Sequence, residues 1–420
     1  MLLDYSFKNF CSFKGETEFS MRVTKEDIRK NFPDNYVHGK INVLKSAIII
    51  GENAGGKSNF IKSLKYLQSF FKENRQIKSK SEYINDDYNP LRVCDTLQSF
   101  TLSVLIDEVI YDYKLNIDHF GVKYEHLKVN KQTDSKSTPI FIIERTDSGF
   151  DEQDYVKNLY KNTNDDVPFF KFNFEIKLNP SYKQFTDFLS KPVVNNDAIG
   201  LYISKIALLN VSEAVALSNW VNNTLSFEFA PYSGYESSSE QQQASEILKI
   251  IHDERFLEIL QIIDSSITEI KPDQRLPYQN TLVVRKNDEG TLFQRELSAD
   301  STGLRDYFRW AIQIFKVIYE NKVLFADEMD RSLNPVLADK IVALIHGSEH
   351  KGQFIFTTHN VLHLNLNKQM KEQIYFVTKD LLTLHSELYS LSDFPEIDYN
   401  LEIDLYKFYL RGILGGTIRG

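Results

Sequence analysis

The stretch Ile48-Ile49-Ile50-Gly51-Glu52-Asn53-Ala54-Gly55-Gly56-Lys57-Ser58-Asn59-Phe60 constrains this chain more than any other. Gly51, Gly56, Lys57 and Ser58 occupy the fixed positions of the pattern G-x-x-x-x-G-K-[ST]. The apolar run Ala47 to Ile50 leads in as a buried strand. After the glycines, Phe60, Ile61, Leu64 and Leu67 recur at helical spacing, which predicts a helix over 58–71. Strand, glycine turn and helix are the parts that phosphate binding needs, because glycines let successive backbone N–H groups converge on one anion and the helix N-terminus adds positive potential. On this reading Gly51, Glu52, Asn53, Ala54, Gly55, Gly56, Lys57, Ser58 and Asn59 wrap the phosphates of ATP. Lys57 reaches the β- and γ-phosphates, and the Ser58 hydroxyl ligates Mg2+.

Such a loop needs a partner strand ending in an acid. Val323-Leu-Phe-Ala-Asp327-Glu328 supplies it, with four apolar residues for a buried parallel strand and two carboxylates at its carboxyl end, where ligands of such sheets bind. Asp327 is placed to hold Mg2+ through its water shell, and Glu328 to polarise an attacking water. Upstream, Asp300-Ser301-Thr302-Gly303-Leu304-Arg305 opens a long helix through Phe308, Ile312, Phe315 and Ile318. Downstream, Phe354-Ile-Phe-Thr-Thr358-His359 reads as another buried strand with a polar end.

The chain is long enough for one large domain with an insertion, or for two domains. Hydrophobic content of 42% and charged content of 25% are those of a folded soluble protein. A formal net charge of −9 does not advertise nucleic-acid binding. The two cysteines, Cys11 and Cys94, lack metal-site spacing, so reduced thiols in the cytoplasm are expected. No basic segment followed by an apolar stretch opens the chain and no apolar run approaches a membrane span, so neither secretion nor membrane insertion is expected.

In chain order, residues 2 to 24 alternate and are rich in aromatics, predicting a β-hairpin that turns near Lys14-Gly15-Glu16 and packs beside the strand before the glycine loop. Residues 25 to 40 read as a polar loop, and the basic Lys72 to Lys80 as a solvated helix end. Phe100–Ile106, a turn at Asp107-Glu108, and Val109–Ile117 start a meander that continues through Leu127 to 139–144. Helices are predicted at 203–221, 242–251 and 255–263, with a loop over Tyr232 to Gln243. A last hairpin joins 281–285 to 292–297 through Asn287-Asp288-Glu289-Gly290. The expected organisation is an N-terminal lobe (1–150), a mainly helical insertion (151–274) and a C-terminal lobe (275–420).

The order of glycine loop, serine-glycine helix start, Asp-Glu strand and strand ending in histidine resembles the ATP-binding-cassette (ABC) class of ATPases, and within it the RecF, SMC and OLD branch. That resemblance implies an α/β P-loop NTPase fold of ABC type with an antiparallel β lobe and an inserted helical domain. It implies that Ser301 and Gly303 form the signature motif, a second phosphate-binding helix start that meets the γ-phosphate of ATP held by another subunit. Asp330-Arg-Ser-Leu-Asn-Pro335 would be the D-loop and His359 the switch histidine. The signature departs from the L-S-G-G-Q of transporters, and Leu297-Ser298-Ala299-Asp300 is a competing register in which Ser298 is simply a helix cap. No motif marks the Q-loop; Gln98 is a candidate without motif support.

A finer resemblance spans almost the whole chain. Asn9-Phe-Cys-Ser-Phe13, the form Gly51-Glu-Asn-Ala-Gly-Gly-Lys-Ser-Asn59, Asp327-Glu-Met-Asp-Arg-Ser-Leu-Asn-Pro335, Glu372–Lys379, Leu388–Phe394 and Tyr409-Leu-Arg-Gly412 look like the bacterial AAA-15/AAA-21 ATPases, the group that includes RloA, AbiLi and the PARIS ATPase AriA. The implication is a phage-defence ATPase that works as a homodimer or higher even assembly and governs an effector from a separate gene, of nuclease or Toprim type. DNA or a phage protein are further candidate partners. A Toprim nuclease in the same chain is not expected, because the stretch after His359 is too short for it. More than half the chain separates Ser58 from Ser301, without sustained heptads, so long coiled-coil arms are not expected either. That separation also argues against a transporter subunit. The rival expectations are a RecF-like DNA-repair or DNA-end-sensing ATPase and a non-hydrolysing scaffold assembled by ATP.

Overall fold

The computed structural model describes residues 1–23, 31–72, 83–85, 97–118, 121–131, 137–146, 171–190, 193–194, 200–229, 240–329, 333–395, 397, 405–412 and 414. The chain opens with strands β1 (Leu2–Phe10), β2 (Phe13–Ser20), β3 (Tyr36–Val37), β4 (Val43–Leu44) and β5 (Ser46–Gly51), then helix α1 (Lys57–Lys72). There follow β6 (Gln98–Ile106), β7 (Val109–Asp118), β8 (Gly121–Lys131), β9 (Thr138–Thr146), β10 (Lys171–Leu178), β11 (Val193–Val194), α2 (Tyr202–Leu208), α3 (Ser212–Asn223) and β12 (Leu225–Phe229). The remainder comprises α4 (Glu240–Ile251), α5 (Glu254–Gln261), β13 (Ile267–Lys271), β14 (Leu282–Lys286), β15 (Leu292–Glu296), α6 (Thr302–Tyr319), β16 (Val323–Asp327), α7 (Pro335–Gly347), β17 (Gln353–Thr358), β18 (Ile374–Lys379), β19 (Ser386–Ser390) and α8 (Leu405–Leu410).

The chain divides into two compact units, one of Met1–Ser20, Ala54–Leu225 and Thr378–Tyr389, the other of Met21–Asn53, Ser226–Val377 and Ser390–Gly420. In the first unit, eight strands form an antiparallel sheet in the order β11-β10-β9-β8-β7-β6-β1-β2. The meander forms as expected, and its Asp107-Glu108 turn puts both residues at positive φ, 46° and 64°, as a two-residue hairpin turn of the right hand requires. The inward aromatics of β1 and β2 pack on α1: Phe19 lies 5.3 Å from Phe60 between ring centroids, and the buried Tyr5 hydroxyl donates to Ser63 Oγ at 2.9 Å. Each such ring removed from water contributes roughly 1.5–3 kcal/mol, and together they fix the helix that follows the glycine loop.

In the second unit, β16-β17-β5-β18 run parallel, with β12 beyond β16. Every residue of β5, β16 and β17 is buried, which is why these segments read as unbroken apolar runs rather than alternating ones. Helix α6 presents a wide apolar face: Phe308 meets Phe256 of α5 at 5.3 Å edge to face, and the Tyr307 hydroxyl donates to Ile259 O at 2.7 Å. A separate three-stranded sheet orders β13-β14-β15.

Several expectations need correction. The first hairpin turns at Cys11-Ser12, with Phe10 opposite Phe13, while Lys14-Gly15-Glu16 lie within β2. That hairpin pairs with β6, whereas the sheet neighbours of β5 are β17 and β18. The helix predicted over 203–221 is two helices, because Asn210 adopts a left-handed φ of 58° and breaks the run. Within 151–274 the two compact units divide after Leu225. Helix α3 is tied to α1, whose Gln68 amide donates to Val221 O and Leu225 O, while α5 packs on α6. Of the predicted loop at Tyr232 to Gln243, 232–239 lie outside the described residues and 240–243 are helical. Residues 73–80 of the basic stretch also lie outside them.

Candidate nucleotide site

Three of the expected pieces leave one edge of the parallel sheet. Gly51 ends β5, Asp327 ends β16 and Thr358 ends β17, and the parallel registers, Thr358 opposite Ile50 and Ala326 opposite Phe356, bring these ends level. A Cβ at Gly51 would meet Val377 O of β18 at 2.3 Å, so only glycine lets the strand leave the sheet there. Glu52 follows, half-buried. Its carboxylate adds to burial in pushing the Tyr409 phenol up to about 12, which places the tail motif's tyrosine near the start of the loop.

Within the first unit the loop is held from behind. Ser386 Oγ donates to Gly55 O at 2.6 Å, Ser386 N–H donates to Ser12 O at 2.7 Å, and the Asn59 amide donates to Ser12 Oγ at 3.0 Å. A trans peptide points its C=O and N–H in opposite directions, so pinning Gly55 O on Ser386 aims the Gly56 N–H away from Ser386. Ala54 and Gly56 take positive φ, 62° and 121°, the alternation that lines backbone donors along one concave side. Asn53 and Ala54 are exposed, Lys57 is buried at the first turn of α1, and Ser58 is half-buried.

At the acidic edge the buried hydroxyl of Thr357 donates to Asp327 Oδ1 at 2.6 Å and accepts the Glu328 N–H at 2.8 Å. Asp327 is buried, whereas the side chains of Glu328 and His359 are about one third exposed, with Glu328 Oε1 3.9 Å from His359 Nε2. Glu328 holds φ at 51°, a conformation that costs a non-glycine residue of order 1–3 kcal/mol and turns the side chain out of the strand. The carboxylate oxygens of Asp327 are hard donors of the kind that suits Mg2+ with its retained waters. Among the described residues no group of three or more His, Cys, Asp or Glu could by itself hold a metal.

Ser301 caps α6, its hydroxyl accepting from Leu304 N–H at 3.3 Å, whereas Leu297–Ala299 form a separate 3-10 turn ending at Asp300. Ser298 is therefore not the helix cap. Gly303 is exposed, its φ is not left-handed, and a Cβ there would meet nothing within 4 Å, so no contact among the described residues calls for glycine. Gln98 is fully buried, donating to Asn9 O and Tyr83 O, which commits its amide to packing. Of the expected D-loop, 330–332 lie outside the described residues; Asn334 caps α7 by accepting from Leu337 N–H at 2.9 Å. Sequence reasoning missed Thr357 and Ser12, although both sit inside runs it had singled out, and Ser386, which no motif marks.

Residues 46–365, from the first residue of β5 to beyond His359, match a family model described as "AAA domain, putative AbiEii toxin, Type IV TA system". The chain belongs to this AAA-domain family. It is accordingly a P-loop protein of that family, with a parallel sheet flanked by helices and a separate antiparallel sheet. Among curated proteins no sequence matches this AAA-family chain. Solved structures similar to it include the SMC head domain from Thermotoga maritima (13% identity, TM-score 0.42, covering 93% of this chain and 98% of that one). An SmcHead bound to the C-winged helix domain of ScpA is similar at 12% identity and TM-score 0.43, covering 93% and 97%. So is the Pyrococcus furiosus Smc head domain with an extended coiled coil, bound to the C-terminal domain of ScpA (13%, TM-score 0.40, covering 98% and 99%). Among the described residues of this family member no helix is long and apolar enough to cross a membrane.

Proposed function

We propose that this AAA-family chain is an ATPase whose two copies close head to head around two ATP molecules and thereby switch a separately encoded effector, of nuclease type, in defence against phage. The observation that carries the reading is the level exit of Gly51, Asp327-Glu328 and Thr358-His359 from one edge of a parallel sheet, where ligands of such sheets bind. Lys57 binds the β- and γ-phosphates; Ser58, and Asp327 through water, would hold Mg2+, which would supply positive charge against that developing on transfer. Glu328 accepts the proton of a water that attacks the γ-phosphorus, the bond to the β-phosphate oxygen breaks, and ADP and phosphate leave. His359, beside Glu328, orients the transferred group. Ser301 and Gly303 meet the γ-phosphate of the other copy. The open space at Gly303 supports this, because a glycine without an internal reason is explained by a surface kept clear for a close approach. Hydrolysis then resets a conformational switch.

The experiment is the solution mass of Glu328→Gln by light scattering, with and without Mg-ATP. Glutamine keeps the side chain's shape but cannot take the proton, so ATP stays bound. A rise from monomer to dimer, or to a higher even assembly, supports the reading; a constant monomer with ATP demonstrably bound overturns it.

A second reading, a DNA-end-sensing ATPase, draws support from one feature of the second unit. A cleft of about 1020 Å3 between α4 and the 274–275 segment is lined, among the described residues, by Lys249, His252 and Arg275 and by no carboxylate. Strong DNA binding that weakens steeply with salt would favour it.

A further inference from the structure

Arg285, next to the end of β14, ties the segment before Ser301 to another part of the second unit through two carboxylates. Its Nε donates to Asp264 Oδ2 at 2.8 Å, and its Nη2 lies 2.7 Å from Asp300 Oδ2. Asp300 in turn accepts the Ser301 N–H through Oδ1 at 2.8 Å. Asp264 is itself fixed, accepting from Ser266 N–H and, at 2.6 Å, from Ser266 Oγ. The Asp300 side chain is only 9% exposed, so its charge depends on the guanidinium. The result is a rigid strut running from the corner after α5, through β14, to the residue that begins the α6 cap. A planar fork can bridge two carboxylates at once, which a lysine ammonium on a flexible stem does far less well.

The strut borders an open cleft of about 630 Å3 whose walls include Ser301, Leu304, Phe293 and Arg295. Arg285 also lines this cleft, where its positive charge is already paired with the carboxylates of Asp264 and Asp300. Arg295, two positions along the exposed strand β15 from Phe293, the cross-strand neighbour of Arg285, makes no ion pair among the described residues.

We propose that Arg285 is a positioning residue that holds Ser301 and the first turn of α6 in the geometry that receives the nucleotide of a second copy. This rests on the head-to-head reading above. It makes Arg285 act in trans: its loss leaves the same chain's own glycine loop intact and disables only the site completed on the neighbour.

The test mixes full-length variants. Arg285→Met and Lys57→Ala are each expected to lose hydrolysis by at least about tenfold, the range seen when a residue that orients a primary ligand is removed. An equimolar mixture is expected to regain activity toward about one quarter of the parent, the statistical share of sites with both halves intact in a two-fold dimer. Arg285→Met alone should still bind ATP at its own loop with unchanged affinity, a readout that a general folding defect would move. Arg285→Lys should recover part of the lost turnover. Lys57→Ala mixed with Ser301→Asp is the control. If that control regains activity and the Arg285→Met mixture does not, the positioning role is overturned while the head-to-head reading stands. If neither mixture regains activity, the head-to-head reading falls and the inference with it. Should Arg285→Met fail to fold, Asp264→Asn, which loosens the far end of the strut and keeps the Arg285–Asp300 pair, takes its place in the same mixture, with the same outcomes deciding.

Discussion

Thr357 Oγ1 donates to Asp327 Oδ1 at 2.6 Å while accepting the backbone N–H of Glu328 at 2.8 Å, so one buried hydroxyl on β17 sets both acids at the end of β16. The contact crosses between neighbouring parallel strands, and its geometry follows from their register.

Thr357→Val keeps shape and strand propensity but strands a buried carboxylate oxygen and a backbone donor, a loss of about 1–3 kcal/mol for each group left unsatisfied. Hydrolysis is expected to fall about 10- to 100-fold with a raised Mg2+ requirement, while Thr357→Ser stays near the parent. Turnover titrated against Mg2+ checks this, and a Val variant with the parent's Mg2+ curve would refute it.

Gly56→Ala would set a Cβ 2.5 Å from Ser386 Oγ at a φ of 121°. ATP binding is expected to be lost. Adding Ser386→Gly removes the clash but also the hydrogen bond to Gly55 O, and leaves the backbone strain, of order 1–3 kcal/mol, so calorimetry should find only partial recovery of affinity in the double variant, measured against Ser386→Gly alone. Full recovery would show that the φ does not matter.

Ser301 both caps α6 and stands in the proposed signature, and aspartate separates the two roles. Ser301→Ala should lose about 1 kcal/mol of stability through the cap. Ser301→Asp, an equally good cap, should keep the parent's melting temperature yet abolish ATP-driven assembly, because a carboxylate repels a γ-phosphate. An Asp variant that still assembles with ATP would leave Ser301 a cap and nothing more.

Glu125, fully buried on β8, accepts from Tyr113 Oη and from the N–H groups of Tyr202 and Ile203 at the start of α2. Burial outweighs these bonds and pushes its carboxyl up to about 7. The unfolded chain releases this proton near the ordinary glutamate value, so between roughly pH 4.5 and 7 the folded state holds the extra proton. Stability therefore falls as pH rises through that window, by an amount on the order of 3 kcal/mol, and levels off above it. Melting temperatures across pH 4.5 to 8 should show this slope, and Glu125→Gln should flatten it; an unchanged slope in the variant would assign it to other groups.

The buried strands β5, β16 and β17 and the glycine loop were legible because a parallel sheet covered on both faces writes itself as unbroken apolar runs, and because Gly51 and Gly56 answer to local backbone geometry. The antiparallel meander was equally plain, through period-two alternation and the turn at Asp107-Glu108. Local signals failed where packing decides. The break at Asn210 rests on one left-handed residue inside a helix-like pattern, and the first hairpin turned at Cys11-Ser12 rather than at the glycine. The parting of the chain after Leu225 depends on which apolar face meets which partner.

By itself, then, the sequence determined the chemistry on offer: a phosphate-cradling loop, a lysine and a serine, two acids ending a buried strand, a histidine ending another, and a family that follows from their order. Only the tertiary structure decided what holds them. Ser386 comes from the far end of the chain to pin Gly55, Thr357 reaches across a strand to Asp327 and Glu328, and Arg285 braces the residue before Ser301. Such supports are polar groups whose partners lie far away in sequence. A hydroxyl or guanidinium carries no periodic signal of its own, and its role exists only once the buried partner it satisfies has been brought beside it.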